Sequence, residues 1–136
     1  METPNVPPTD ELSFQVTLRT RWSDEDVQGV VNNAVYMTLL EEGRHAYFTA
    51  RGLLADNQFP FLLAQTNISY VAPGRGGADV QLAMATTHAG RTSFVQAYRI
   101  QAADGTLWCE AEARLVLVDE HGKKCEMPAE FRSKLD

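Results

Sequence analysis

The stretch Asn33-Ala34-Val35-Tyr36-Met37-Thr38-Leu39-Leu40-Glu41-Glu42-Gly43-Arg44-His45-Ala46-Tyr47-Phe48-Thr49-Ala50 decides the fold. Val35, Tyr36, Leu39, Leu40, Gly43, Ala46, Tyr47 and Ala50 recur at three- and four-residue spacing, while Thr38, Glu41, Glu42 and His45 fall on the opposite side. That period predicts an amphipathic helix over 33–50. Asn32 is placed to accept a bond from one of the first free amides, and Val31 to staple onto Tyr36 inside the first turn. Gly52 is placed to stop the helix. Gly43 on the apolar side costs about 1 kcal/mol of helix propensity, which predicts that a strand backbone approaches closely there.

On both sides of this segment the period changes from helical to alternating. In residues 12–22, Leu12, Phe14, Val16, Leu18 and Trp22 share one face, with Gln15, Thr17, Arg19 and Arg21 on the other. Such alternation predicts a strand. Four further strand-like stretches follow at 61–71, 78–87, 92–102 and 107–118. Between them, Pro73-Gly74-Arg75-Gly76-Gly77, Ala89-Gly90 and Asp104-Gly105 supply the positive-φ residues that hairpins need. In the last stretch Leu107, Cys109, Ala111, Ala113, Leu115 and Leu117 oppose Trp108, Glu110, Glu112, Arg114 and Val116. Residues 128–135 open on a proline and predict a short terminal helix.

The layout is strand, long helix, then four strands. It predicts an α+β fold in which an antiparallel sheet of about five strands wraps its apolar face around one long central helix. An open sheet leaves two edges, and pairing them between copies predicts a homodimer or homotetramer.

A chain of 136 residues has material for one core. Residues 1–11 carry three of the prolines and lack the basic start and apolar centre of a signal peptide, so they read as a flexible leader to a single domain over 12–136. Without an export signal, Cys109 and Cys125 are expected reduced, in the cytoplasm, as packing residues. No uninterrupted apolar run is long enough to span a bilayer. A formal charge of −6 with twelve dispersed Lys and Arg disfavours DNA or RNA as partner. No metal site or cofactor is expected.

The chemistry is concentrated in Arg21-Trp22-Ser23-Asp24-Glu25-Asp26-Val27-Gln28-Gly29-Val30-Val31-Asn32-Asn33-Ala34-Val35-Tyr36. Three carboxylates and a glycine precede a helix start, where unpaired amides and the helix dipole favour an anion or an oxygen becoming one. A carboxylate facing such an amide, with a carbonyl between them, is a minimal arrangement for acyl transfer. The same acids also read as solvated residues that favour the helix dipole.

Asp24, Asp26, Gly29, Val31 and Tyr36 match D-x-D-x-x-G-x-V-x-x-x-x-Y, and the passage resembles the signature of hotdog-fold thioesterases related to 4-hydroxybenzoyl-CoA thioesterase. The order of elements and the phrase Arg91-Thr92-Ser93-Phe94-Val95 are similar too. The resemblance implies hydrolysis of acyl-CoA thioesters, with Asp26 as the catalytic carboxylate and the Asn33 amide holding the thioester carbonyl. It makes Asp24 a supporting residue and Tyr36 a packing residue, and lets Gly29 bring its backbone close to substrate. Arg91, with Thr92 and Ser93 beside it, becomes the candidate for the phosphates of CoA, with Arg75 as a second cation. Many relatives carry histidine where this chain has Val30, so the site is expected to rely on the carboxylate alone. Glu41 and Glu42 form a rival site, because some hotdog thioesterases place their carboxylate on this helix. His45, His88 and His121 receive no role.

Two other functions stay open on the sequence. A hotdog enoyl-thioester hydratase would pair its aspartate with a histidine a few residues on, and the fifth position past Asp26 is Val31. A non-catalytic acyl-CoA-binding regulatory module would bind thioester without releasing thiol.

Overall fold

The computed structural model describes residues 1–135. Five strands and two helices follow one another: β1 (Phe14–Arg19), α1 (Asn33–Ala50), β2 (Phe61–Tyr70), β3 (Asp79–Ala89), β4 (Ser93–Ala102), β5 (Leu107–Leu117) and α2 (Ala129–Lys134). The strands form one antiparallel sheet in the order β1-β3-β4-β5-β2, so β1 and β2 are its edges. Among the described residues no helix is long and apolar enough to cross a membrane.

Helix α1 has the predicted limits, and Asn32 caps it by accepting from the Ala34 amide at 2.9 Å. Its buried side holds Tyr36, Leu39, Leu40, Gly43 and Tyr47 as expected, and also Arg44 and Phe48. Ala50 is exposed. What comes close to Gly43 is a side chain rather than a strand backbone: a Cβ at this position would lie 2.8 Å from both methyl carbons of Leu82.

The inner face of the sheet meets α1 along Leu82, Phe94, Tyr98, Ile100, Cys109, Ala111, Ala113 and Leu115, and Phe48 packs among Phe61, Phe94 and Phe131. Burial pushes the Cys109 thiol up to about 12, so it behaves as an apolar packing group. Arg44 is 3% exposed; its Nη1 donates to the Tyr98 hydroxyl at 3.1 Å, which donates to Gln96 Oε1 at 2.9 Å. Gln96 Nε2 reaches Thr86 Oγ1, which also meets the Tyr47 hydroxyl. A hydrophobic periodicity contains no trace of this polar chain, because its members sit at ordinary core positions.

Strand β1 is shorter than the alternation over 12–22 suggested. Its far end turns into a 3-10 turn at Trp22–Asp24, which leaves Trp22 83% exposed. Leu12 turns to the outer face, where it packs with Ala83, Ala85 and Ala97. Residues 1–11, read from sequence as a leader, run along that outer face. The Asn5 amide donates to Glu112 Oε1 at 2.7 Å, and the Arg99 guanidinium donates to the carbonyls of Val6 and Pro7. Val6 packs against the small residues of the same patch.

Candidate active site

The loop from β1 to α1 is shaped first by Asp24. Its carboxylate accepts from the Arg21 amide at 2.7 Å and from the Arg21 guanidinium at 3.1 and 2.9 Å. Burial alone would raise its pKa; the Arg21 amide and guanidinium outweigh that and hold it below the ordinary value. The Asp24 carbonyl accepts from the Asn32 amide at 2.9 Å. Asp24 therefore holds both ends of the loop.

Within these ends lies a tight turn. The Asp26 amide donates to the Val30 carbonyl at 2.9 Å, and the Gly29 amide to the Asp26 carbonyl at 3.0 Å. Gly29 has φ +76°, a conformation that side chains resist. Asp26 Oδ1 accepts from the Gln28 amide at 2.8 Å. Its Oδ2 has no partner among the described residues.

The helix start is just as economical. Val31 donates to Gly74 O, Asn32 to Asp24 O and Val35 to Asn32 O, while the Ala34 amide is taken by the Asn32 side chain. Among the described residues the Asn33 amide alone in this run has no acceptor, and it points where the helix dipole favours developing negative charge. Beside it is a cleft of about 220 Å³ lined by Val30, Val31, Asn33, Tyr36, Tyr70 and the segment down to Gly74. Asp26 stands just outside this lining, joined to it through Val30.

Tyr36 and Tyr70 meet edge to face at 5.3 Å across the cleft, and the Tyr70 hydroxyl donates to the Asn33 carbonyl at 3.1 Å. Burial pushes the Tyr36 hydroxyl up to about 12, with Cys109 adding to the effect. It stays protonated, as befits a packing residue.

The other candidates lie elsewhere. Arg91, Thr92 and Ser93 lead into β4 level with Phe61, whereas the helix start is level with Ile100 and Tyr70. At about 3.3 Å per residue, Ser93 and Ile100 are roughly 23 Å apart along β4. Within one protomer, then, Arg91 is not joined to Asp26; it pairs with Glu126 at 2.7 Å on the surface. Glu41 and Glu42 line a groove of about 400 Å³ with Thr38, His45 and Phe59 on the outer side of α1. This groove is larger than the cleft, but it faces the middle of a helix, where the amides are consumed by the preceding turn. It has carboxylates without a free helix-start amide beside them. Among the described residues no cluster of His, Cys, Asp or Glu is arranged to hold a metal ion.

The glycine-rich loop 73–77 proved closer to the site than its sequence indicated. A Cβ on Gly74 would lie 2.6 Å from the Tyr36 hydroxyl and 2.7 Å from the Trp108 ring. Gly74 packs against Tyr36 in the wall of the cleft, a purpose that local sequence does not encode.

Residues 20–135 match the family model of the thioesterase-like superfamily. The chain belongs to that superfamily. It is 32% identical over 111 residues to acyl-CoA thioester hydrolase YbgC of Escherichia coli O6:H1, covering 78% of this chain and 82% of that protein. A thioesterase from Thermus thermophilus, solved with coenzyme A and zinc, has TM-score 0.79 at 26% identity, covering 89% of this chain and 90% of its own. Slr0204, a 1,4-dihydroxy-2-naphthoyl-CoA thioesterase from Synechocystis, also has TM-score 0.79 at 20% identity, covering 89% and 93%. At that identity the likeness is one of fold, and it bears out the hotdog arrangement of sheet and central helix. The expectation of a thioester hydrolase is borne out by the family and by its 32% identical relative.

Proposed function

We propose that this thioesterase hydrolyses acyl-CoA to the free acid and CoA, with Asp26 and the Asn33 amide as its catalytic groups. The observation that carries the reading is a pair of unclaimed atoms beside one cleft: among the described residues Asp26 Oδ2 and the Asn33 N–H have no partner, and Asn33 opens α1 in the lining of that cleft. A thioester carbonyl held by the Asn33 amide gains stabilisation as its oxygen becomes anionic. The carboxylate then acts at the carbonyl carbon, directly or by taking a proton from water, and the CoA thiolate leaves. Val30 provides no imidazole, so the carboxylate works alone.

The second protomer completes the site in this reading. Strand β2 is an open edge with Leu62 and Leu63 59% and 43% exposed, and antiparallel pairing with a second copy would close it. Such pairing sets the Phe61 end of one β2 beside the Tyr70 end of the other. The second copy's Arg91, Thr92 and Ser93 then arrive at the same end as the first copy's Asn33. They lie three strands away, roughly 14 Å at the usual spacing, a reach suited to the phosphates of a long CoA thioester. Two free cysteines fit a reducing cytoplasm.

The test is thiol release from a panel of aromatic, short-chain and long-chain acyl-CoAs by wild type and Asp26→Asn. We expect a responsive substrate and a loss of at least about a hundredfold in the variant. Wild-type turnover by Asp26→Asn would remove Asp26 from the chemistry, and tight binding without thiol release would make the protein a binder instead.

A further inference from the structure

Arg75 lies between β2 and β3 and takes no part in the chemistry above. Its Nη1 donates to the carbonyl of Gly29, on the turn that carries Asp26. The next amide along, that of Gly76, donates to Glu25 Oε2 at 2.8 Å, and the preceding carbonyl, that of Gly74, accepts from the Val31 amide at 3.0 Å. Loop 74–76 thus grips segment 25–31 at Glu25, Gly29 and Val31. Asp26 lies between the first two ties.

The grip is built in rather than incidental. A Cβ on Gly76 would lie 2.4 Å from the Arg21 carbonyl oxygen and 2.8 Å from the Trp22 Cα, so the loop seats against that backbone only because position 76 has no side chain. The loop's other support is the buried Thr20, whose hydroxyl donates to the Arg75 carbonyl at 2.7 Å. The turn itself is soft at Gly29, where the backbone has the freedom of glycine. Among the described residues, its own closures are the Asp26 to Val30 and Gly29 to Asp26 bonds, the Asp26 to Gln28 side-chain bond and, at its base, the Asn32 to Asp24 bond.

We propose that Arg75 is a positioning residue for Asp26: by holding the Gly29 carbonyl it fixes the turn, so that the unclaimed carboxylate oxygen keeps its aim. The inference rests on the reading of Asp26 given above. It also reassigns a cation that sequence offered for CoA phosphates, because one nitrogen of the exposed guanidinium is committed to a carbonyl of its own chain.

The deciding experiment measures kcat and KM for wild type, Arg75→Met and Arg75→Lys on one responsive acyl-CoA and on the same acyl group carried by N-acetylcysteamine, which has no phosphates. Amide exchange at Gly29 is measured on the same samples. Arg75→Met is expected to lose about tenfold in kcat on both thioesters, the scale of a small misplacement of a reacting group. KM should stay within about twofold, Gly29 should exchange faster, and Arg75→Lys should recover part of both effects through its remaining donor. A KM increase confined to acyl-CoA would make Arg75 a phosphate-binding cation and overturn the proposal. So would unchanged kcat, or a loss of kcat with Gly29 exchange unaltered. Asp26→Asn is run alongside: wild-type turnover there defeats the reading of Asp26, while Gly29 exchange still reports whether Arg75 holds the turn.

Discussion

The buried guanidinium of Arg44 donates to the hydroxyl of Tyr98 at 3.1 Å, with no carboxylate paired to it among the described residues. Tyr98 in turn depends on Gln96, so the cation is accommodated by a chain of neutral groups. Tyr98→Phe removes Arg44's hydroxyl acceptor and leaves a buried charge less satisfied. It is expected to cost about 2–3 kcal/mol in urea unfolding. Arg44→Met removes the charge as well and should cost less than Tyr98→Phe. The two changes together should fall short of their sum, because both act on one contact.

Asp24 ties the two ends of the loop between β1 and α1, and its carboxyl is held below the ordinary value of 3.8. A depressed carboxyl stabilises the fold above its unfolded pKa, and that contribution disappears as pH falls through the folded pKa. The stability gap between wild type and Asp24→Asn should therefore be constant from neutral pH down to about pH 5 and close progressively below 3.8. Thermal unfolding scans of both proteins across this range check it; a gap that widened in acid would contradict the ion-pair account.

Gly43 admits Leu82 into the core so closely that an added methyl would sit 2.8 Å from two of its carbons. Gly43→Ala gains about 1 kcal/mol of helix propensity, but overpacking costs about 1–3 kcal/mol where the neighbour is itself enclosed. Leu82 is fully buried, so the net change should be destabilising. Denaturant unfolding checks the sign.

Asn32→Ala deletes the side-chain acceptor of the Ala34 amide and is expected to cost about 1 kcal/mol. It also exposes a second unpaired amide beside that of Asn33. Thiol-release kinetics should show a kcat reduced severalfold as the carbonyl holder loses its definition, with the fold retained by circular dichroism.

The open edge of β2 gives a test of assembly. Leu63→Lys places a charge on an exposed edge position and should disfavour pairing with a second copy. Sedimentation is expected to show monomer, and kcat/KM for acyl-CoA should fall with it. An active monomer would remove the second protomer from the site.

Secondary structure was legible in the sequence. The helix limits, five strands and the Asn32 cap follow from periodicity, capping chemistry and spacing, all of which act between residues close in the chain, whereas Asp26 and the Asn33 amide were singled out by the resemblance to hotdog-fold thioesterases. Tertiary structure decided what distant segments do to one another. The tie from Arg75 to the Gly29 carbonyl, the burial of Arg44 against Tyr98, the turn of Leu12 to the outer face and the separation of Arg91 from Asp26 each depend on which segments become neighbours. That outcome is set by loop closure and packing over the whole chain, and no local pattern records it.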